Sequence, residues 1–402
     1  ESKLADDAVT ADKLANSINS AIAANTAKDL TALSASNLTS GTVPDARFPA
    51  TLPAISGANL TGISTTPADG SITQAKLNFP VANRNLIING AMQVAQRGTS
   101  STTNGYGSVD RYPIYSQSTD EAPTHAQVDV ASGTTPYTSG FRKALKITNG
   151  NQTSGAGSGD LIAISYGIEA QDLASSGWNY LSSSSDITLS FWVKSSVAQN
   201  FYVMLRTEDG TQYNYPVETG SLTADTWTKV TKTIPGNSNL TINNDNGRGM
   251  LMEFVLFRGT DGTGSVTLNQ WATYSSSARV PNMTSTWYTT NDATFEITGV
   301  QLEVGSVATD FAHESYGETL AKCMRYYQVG HAKFYMGNSD THASCVTFAT
   351  PMRDDPSMTY TASGGESGSH APSSTEYTRK ENFQYFKNGN ESDFDYTAAS
   401  EL

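Results

Sequence analysis

At 402 residues the chain has room for two or three domains. Charged residues make up only 16% of it; polarity comes from Ser, Thr, Asn and Gly instead, as in exposed all-β extracellular proteins. A net charge of −13 supplies no basic stripe for nucleic acid and opposes docking on an anionic membrane, and no apolar run is long enough for membrane insertion.

The first eighty residues have no Trp, Tyr or Cys and only two Phe, Phe48 and Phe79. Such a segment cannot bury enough apolar surface to offset backbone ordering, which costs about 1–2 kcal/mol per residue. It does carry degenerate repeats: Ala5-Asp6-Asp7-Ala8-Val9-Thr10 is echoed by Ala68-Asp69-Gly70-Ser71-Ile72-Thr73, and Asn37-Leu38-Thr39-Ser40-Gly41 by Asn59-Leu60-Thr61-Gly62. Units with one or two aliphatics bury them only against partner copies, so an ordered homotrimeric shaft over residues 1–82 is expected, with a flexible linker as the alternative. Leu14, Ile18, Ala21 and Ile22 have loosely helical spacing; the five prolines from Pro44 to Pro80 forbid long helix after residue 34. The chain opens on Glu1 rather than Met, so an upstream segment is expected.

From Asn85 onward the pattern changes to short strands with Gly and Asn turns. Asp186 to Lys194 places Ile187, Leu189, Phe191 and Val193 on one face and Thr188, Ser190, Trp192 and Lys194 on the other. Phe201 to Arg206 repeats the alternation before the Asp209-Gly210 turn. Trp227 to Ile234, Met250 to Phe257 and Phe295 to Val304 complete the set, the second being apolar on both faces except at Glu253. This is the pattern of an all-β two-sheet sandwich, expected over residues 83–314. A helix then follows, with Leu320, Cys323, Met324 and Tyr327 at i, i+3, i+4 and i+7. Short strands Lys333 to Met336, Ala343 to Thr350, Gln384 to Lys387 and Asp393 to Ala398 complete a small helix-led β domain over residues 315–402, interrupted by a Gly/Ser loop from Ser363 to Ser374.

Two bracketing motifs carry a family resemblance. Asn85-Leu86-Ile87-Ile88-Asn89-Gly90-Ala91-Met92, with Gln96-Arg97-Gly98 and Asp110-Arg111-Tyr112, opens the sandwich. Ile297-Thr298-Gly299-Val300-Gln301-Leu302-Glu303-Val304-Gly305, Ala308-Thr309-Asp310-Phe311 and Cys323-Met324-Arg325-Tyr326-Tyr327 close it. Together they resemble a domain of phage tail-fibre proteins whose core is similar to carbohydrate-binding jelly rolls. The resemblance implies a jelly-roll fold, a virion location and recognition of a host-surface receptor, a glycan or a protein, with other virion proteins contacted through an upstream segment. A capsid-decorating or head-fibre protein, and a glycan-degrading tailspike, are the alternatives. Read from the residues alone, Asn89-Gly90 is a tight turn, Gly299 a bulge, and Asp110-Arg111-Tyr112 an ion pair beside a ring.

Sugar recognition needs flat apolar faces beside hydrogen-bonding groups. Trp271, Tyr274, Trp287 and Tyr288 cluster in the loop-rich segment before the last sandwich strand, with Gln270, Asn282, Asn291 and Asp292 nearby; Trp271 also suits a core position. Trp287 and Tyr288 are adjacent and cannot both point inward on a strand, which makes them ligand candidates, and Trp178 and Tyr180 form a further pair. The C-terminal domain offers Tyr360, Tyr377, Phe383, Tyr385 and Phe386 with Arg379 and Lys380. Asn243-Asn244-Asp245-Asn246-Gly247 is oxygen-rich but lacks calcium-loop spacing, and an Asn-Gly turn is the simpler expectation. The five histidines have no metal-ligand spacing, although His331 and His342 would meet if one hairpin joined them. Asp160, Glu169, Asp172, Glu208 and Asp209 are acids without a pattern that sets two across a cleft, so no catalysis, cofactor or metal is expected. Cys323 and Cys345 are too few for a disulfide scaffold, and free thiols are expected over a bridge.

Overall fold

The computed structural model describes residues 16–26, 85–335, 341–362, 374–388 and 391–402. The chain divides into two compact units, Glu1–Ala68 and Asp69–Leu402. In the first, the described part is helix α1 (Asn16–Thr26), which buries none of its residues. Ile18 and Ile22 are 48% and 52% exposed. The rest of the expected shaft lies outside the described residues.

The second unit is led by two six-stranded sheets, antiparallel throughout. In chain order the sandwich strands are β1 (Ser100–Ser101), β2 (Ile114–Gln117), β3 (Thr124–Asp129), β4 (Lys143–Thr148), β5 (Leu161–Glu169), β6 (Asp186–Ser195), β7 (Asn200–Thr207), β8 (Tyr213–Ser221), β9 (Thr228–Pro235), β10 (Arg248–Arg258), β11 (Thr263–Gly264), β12 (Ala272–Thr273), β13 (Val280–Pro281) and β14 (Thr294–Val304). One sheet runs β1-β3-β4-β14-β6-β9, the other β12-β8-β7-β10-β5-β2, and β11 pairs with β13. Helical turns α2 (Thr135–Thr138), α3 (Ala170–Ala174) and α4 (Thr286–Thr289) sit in the connections. This is an all-β jelly-roll sandwich, as the alternating strands require.

Large apolar side chains alternate inward along β6, while β10, apolar on both faces, is buried on both. Ile187, Leu189, Phe191 and Val193 of β6 and Met250, Met252 and Leu256 of β10 are fully buried between the sheets. Phe191 meets Phe254 edge-on, with ring centroids 5.0 Å apart. Each such side chain contributes about 1.5–3 kcal/mol by leaving water. In β14 the buried set changes parity, from Phe295 and Ile297 to Val300 and Leu302. The register slips between Thr298 and Gln301, and Gly299 has φ +64°, so the expected bulge is present and keeps both halves facing inward.

Helix α5 (Tyr316–Met324) is closed at its start by a capping box between Ser315 and Glu318. It ends before Tyr327, contrary to the spacing argument. Tyr327 instead opens strand β15 (Tyr327–Tyr335), where it pairs with Ala399. The remaining strands are β16 (Thr341–Thr347), β17 (Ser357–Ala362), β18 (Ser374–Thr378), β19 (Asn382–Asn388) and β20 (Glu391–Ala399). They form two three-stranded sheets, β15-β20-β17 and β16-β19-β18, around a small core that includes Phe348, Met352, Phe383, Tyr385 and Phe394. His331 and His342 therefore lie on different sheets and do not share a hairpin. Cys323 and Cys345 are free thiols.

Buried polar contacts tie this C-terminal part to the sandwich. Glu169 accepts hydrogen bonds from Arg325 at 2.8 Å and from the Tyr326 hydroxyl at 2.5 Å. Burial alone would raise the Glu169 carboxyl, but these bonds and the Arg325 charge outweigh it and hold the group below its ordinary value. Arg111 pairs with Glu401 at 2.9 Å, not with the adjacent Asp110, and its guanidinium lies 3.4 Å from the Tyr326 ring centroid. Asp110 instead accepts from the backbone and side chain of Gln96. The Asn243–Gly247 segment is a turn that docks the C-terminal part: Asp209 holds Asn243, while Asn246 and Arg353 exchange hydrogen bonds.

Candidate functional site

The aromatic residues singled out in the sequence are mostly core. Trp287 and Tyr288 are 0% and 1% exposed, which corrects the expectation that they contact ligand. They belong to α4, where successive side chains diverge by about 100° rather than 180°, so both rings reach the interior. The Trp287 indole N–H donates to the Thr294 carbonyl at 3.0 Å, and Tyr288 stacks on Phe257 at 4.2 Å. Trp271 is buried against Tyr215 and donates to the Pro235 carbonyl at 2.7 Å. Trp178 is buried too and donates to the Ser185 carbonyl, with Tyr180 half-buried beside it. Neither Trp offers a free ring face, which corrects their candidacy. Tyr274 is half-buried on the opposite sheet, with the guanidinium carbons of Arg206 and Arg279 at 4.4 and 5.6 Å from its ring centroid.

The C-terminal candidates divide similarly. Phe383 and Tyr385 are buried, whereas Tyr377 is 54% exposed. Arg379 and Lys380 lie near Asp355 and Asp354, at 3.5 and 3.9 Å. Four of the five candidate acids have structural partners: Glu169 holds Arg325 and Tyr326, Glu208 pairs with Arg206 and Arg248, Asp209 holds Asn243, and Asp160 accepts from the Gly157 amide, whereas Asp172 makes no hydrogen bond or ion pair among the described residues. Among the described residues no group of three or more His, Cys, Asp or Glu could hold a metal ion.

An open groove does exist, on the outward face of the β6-containing sheet. It is a cavity of about 500 Å³. Its floor is the outward parity of β6, Ser190 and Trp192, beside Gly299 of the β14 bulge. Trp192 pairs across the sheet with Lys229 of β9 on one side and Thr298 of β14 on the other. One wall is the turn after α2, including Ser139, Gly140 and Phe141; the other is the segment carrying Thr309, Phe311 and His313. The three rings of these walls form a cluster: Phe141 lies 4.8 Å from Phe311 and 5.0 Å from His313. The His313 ring also meets the Ser139 carbonyl through Nε2, at 2.9 Å.

Two glycines make this packing possible. A Cβ on Gly299 would come within 2.6 Å of the Phe141 ring, and one on Gly140 within 2.8 Å of His313. Both adopt positive φ, at +64° and +97°, a region L side chains rarely enter. Trp192 and Phe311 are half-buried and His313 is exposed, so the groove presents apolar ring surface to solvent. The Thr298 hydroxyl is committed to the Lys143 carbonyl and that of Thr309 to the Glu303 carboxylate. A second cavity of about 420 Å³ includes Asn85, Asp172, Lys322 and Arg325, but its cations are already paired with Glu314 and Glu169.

Sequence reasoning missed this groove because its parts come from five separate segments. One signal was legible: a tryptophan standing among Thr, Ser and Lys on the outward parity of a strand.

No family model and no curated protein matches the chain. Several solved structures share part of its shape. The enzymatically active domain of bacteriophage CBA120 tailspike protein 4 is 10% identical, matching 55% of this chain and 21% of that one, with a TM-score of 0.28. TmCBM61 in complex with β-1,4-galactotriose is 10% identical over 56% of this chain and 100% of that one, with a TM-score of 0.27. A family 11 carbohydrate-binding module from Clostridium thermocellum is 10% identical over 52% and 98%, with a TM-score of 0.23. The chain thus spans about a fifth of the tailspike it matches. These scores are too low to bear on function, and the sandwich stands on its own strand order.

Proposed function

We propose that the protein is a non-catalytic glycan-binding fibre protein of a virion, acting as a homotrimer that attaches to a host-surface polysaccharide. The observation that carries the reading is the groove floored by Trp192 and walled by Phe311 and His313. A solvent-facing ring surface flanked by Ser, Thr and Lys suits the C–H faces and hydroxyls of a sugar better than a purely apolar ligand. Non-catalysis is supported by four of the five candidate acids being engaged in structural contacts, which leaves Asp172 without a second free carboxylate among them. The trimer is supported by the shaft repeats and by α1. An isolated helix of 11 residues is marginal in water, and this one leaves Ile18 and Ile22 without burial in a single chain. Threefold presentation multiplies weak sites, by roughly 10²–10⁴ when geometry allows.

The test is adsorption of the labelled full chain to host cells, before and after periodate oxidation of surface glycans. Oxidation should abolish binding, and Trp192→Ala should reduce it at least tenfold while the melting temperature stays within a few degrees. Binding that survives both would refute the glycan reading.

A further inference from the structure

We propose that the groove selects an acidic sugar, with the Lys229 ammonium receiving a carboxylate of the glycan; this rests on the groove being the ligand site. Two lysines point outward beside the tryptophans of this sheet, and only one is committed. Lys194 pairs with Glu296 at 3.0 Å and lies over the Trp227 ring. Lys229 is exposed and makes no hydrogen bond or ion pair among the described residues. It is the direct cross-strand neighbour of Trp192 and lines the same cavity. A sugar ring lying on Trp192 therefore has a mobile ammonium at its rim. The Ser190 hydroxyl, in a residue only 4% exposed, has no hydrogen-bond partner among the described residues and lines the floor below.

The other ionisable groups of the lining are Asp310 and His313. Asp310 is an anion, already engaged, and His313 meets the Ser139 carbonyl, so Lys229 is the uncommitted cation of this lining among the described residues. A neutral sugar would leave the lysine hydrated and contribute little through it. A carboxylate would gain a charge-assisted hydrogen bond. That bond reaches solvent, so it should weaken with salt.

The experiment titrates the full-length protein with host-surface polysaccharide fragments in two forms. One is native; in the other, carbodiimide activation and borohydride reduction convert the carboxyls to neutral alcohols. Wild type should bind the native form about tenfold more tightly, as expected for one charge-assisted bond at a solvent-facing rim, and the preference should shrink at high salt. Lys229→Gln should bind both forms alike, at the level of wild type on the reduced form, and Lys229→Arg should retain the preference. Trp192→Ala should lose both forms. If Lys229→Gln keeps the wild-type preference while Trp192→Ala abolishes binding, the acidic-sugar inference fails and the groove reading stands. If Trp192→Ala binds as wild type does, or wild type binds neither form, both fail.

Discussion

Trp287 has an accessibility opposite to what its local sequence suggests, whereas Trp192 stands where its strand puts it. Trp287 sits among Ser, Thr and Asn yet is fully buried; Trp192 shares the outward face of its strand with Ser190 and lines a groove. The first outcome follows from a single helical turn, which lets two neighbouring aromatics share one side. The second follows from strand parity, which puts Trp192 opposite Phe191. Trp287→Ala should therefore act as a core truncation. It opens a cavity beside Phe201 and removes one of the two donors to the Thr294 carbonyl, which keeps the Ser196 amide, at a cost of about 3–5 kcal/mol in denaturant unfolding. A stable Trp287→Ala protein that has specifically lost glycan binding would contradict this placement.

At the scale of elements, the junction between β5 and α5 is a contact that responds to pH. Glu169 ends β5, and its partners Arg325 and Tyr326 follow α5. Because its folded value is depressed, the unfolded chain binds the proton more readily on the acid side. Its contribution is complete above the ordinary glutamate value, about 4.3, and is lost as pH falls through the lower folded value. Glu169→Gln should lower stability by about 2–3 kcal/mol near pH 7, since it leaves Arg325 without its charge partner. Arg325 is 34% exposed and rehydrates in part, which keeps the cost at that level. The gap between the two proteins should close progressively below about pH 4. Asp110, whose carboxyl burial raises, has the opposite sign but is common to both and cancels in the comparison. A gap independent of pH would show that the Glu169 charge is not what holds the junction.

The strands themselves were legible because side-chain patterning is a local property. β6, β7 and β14 fall where their alternation puts them, β10 is the central strand its continuous apolar run predicts, and Gly299 marks the bulge. What local sequence does not encode is which distant groups meet. Arg111 takes Glu401, 290 residues away, over its neighbour Asp110, and the groove walls come from residues 138–141 and 309–313. Tyr327 left the helix its spacing predicted because strand pairing with Ala399 outweighed a single turn of helix.

On the scale of the whole molecule, attachment strength depends on copy number. Light scattering of the full chain should give three times its 42.8 kDa mass, and Ile18→Asp with Ile22→Asp should weaken that assembly. A monomer at micromolar concentration would remove the avidity argument. The site itself is tested most directly by hydrogen–deuterium exchange of the full-length protein with and without host-surface polysaccharide. The end of α2 with its following turn, residues 138–141, and the segment 305–313 lie outside the sheet ladders, and their hydrogen-bonded amides exchange through local opening that a bound ligand would slow. Polysaccharide should slow exchange in both of these segments and leave 270–292 and the C-terminal sheets unchanged. Protection confined to 270–292 or to the strands after residue 326, with none at the groove, would contradict the assignment of this face as the glycan-binding surface.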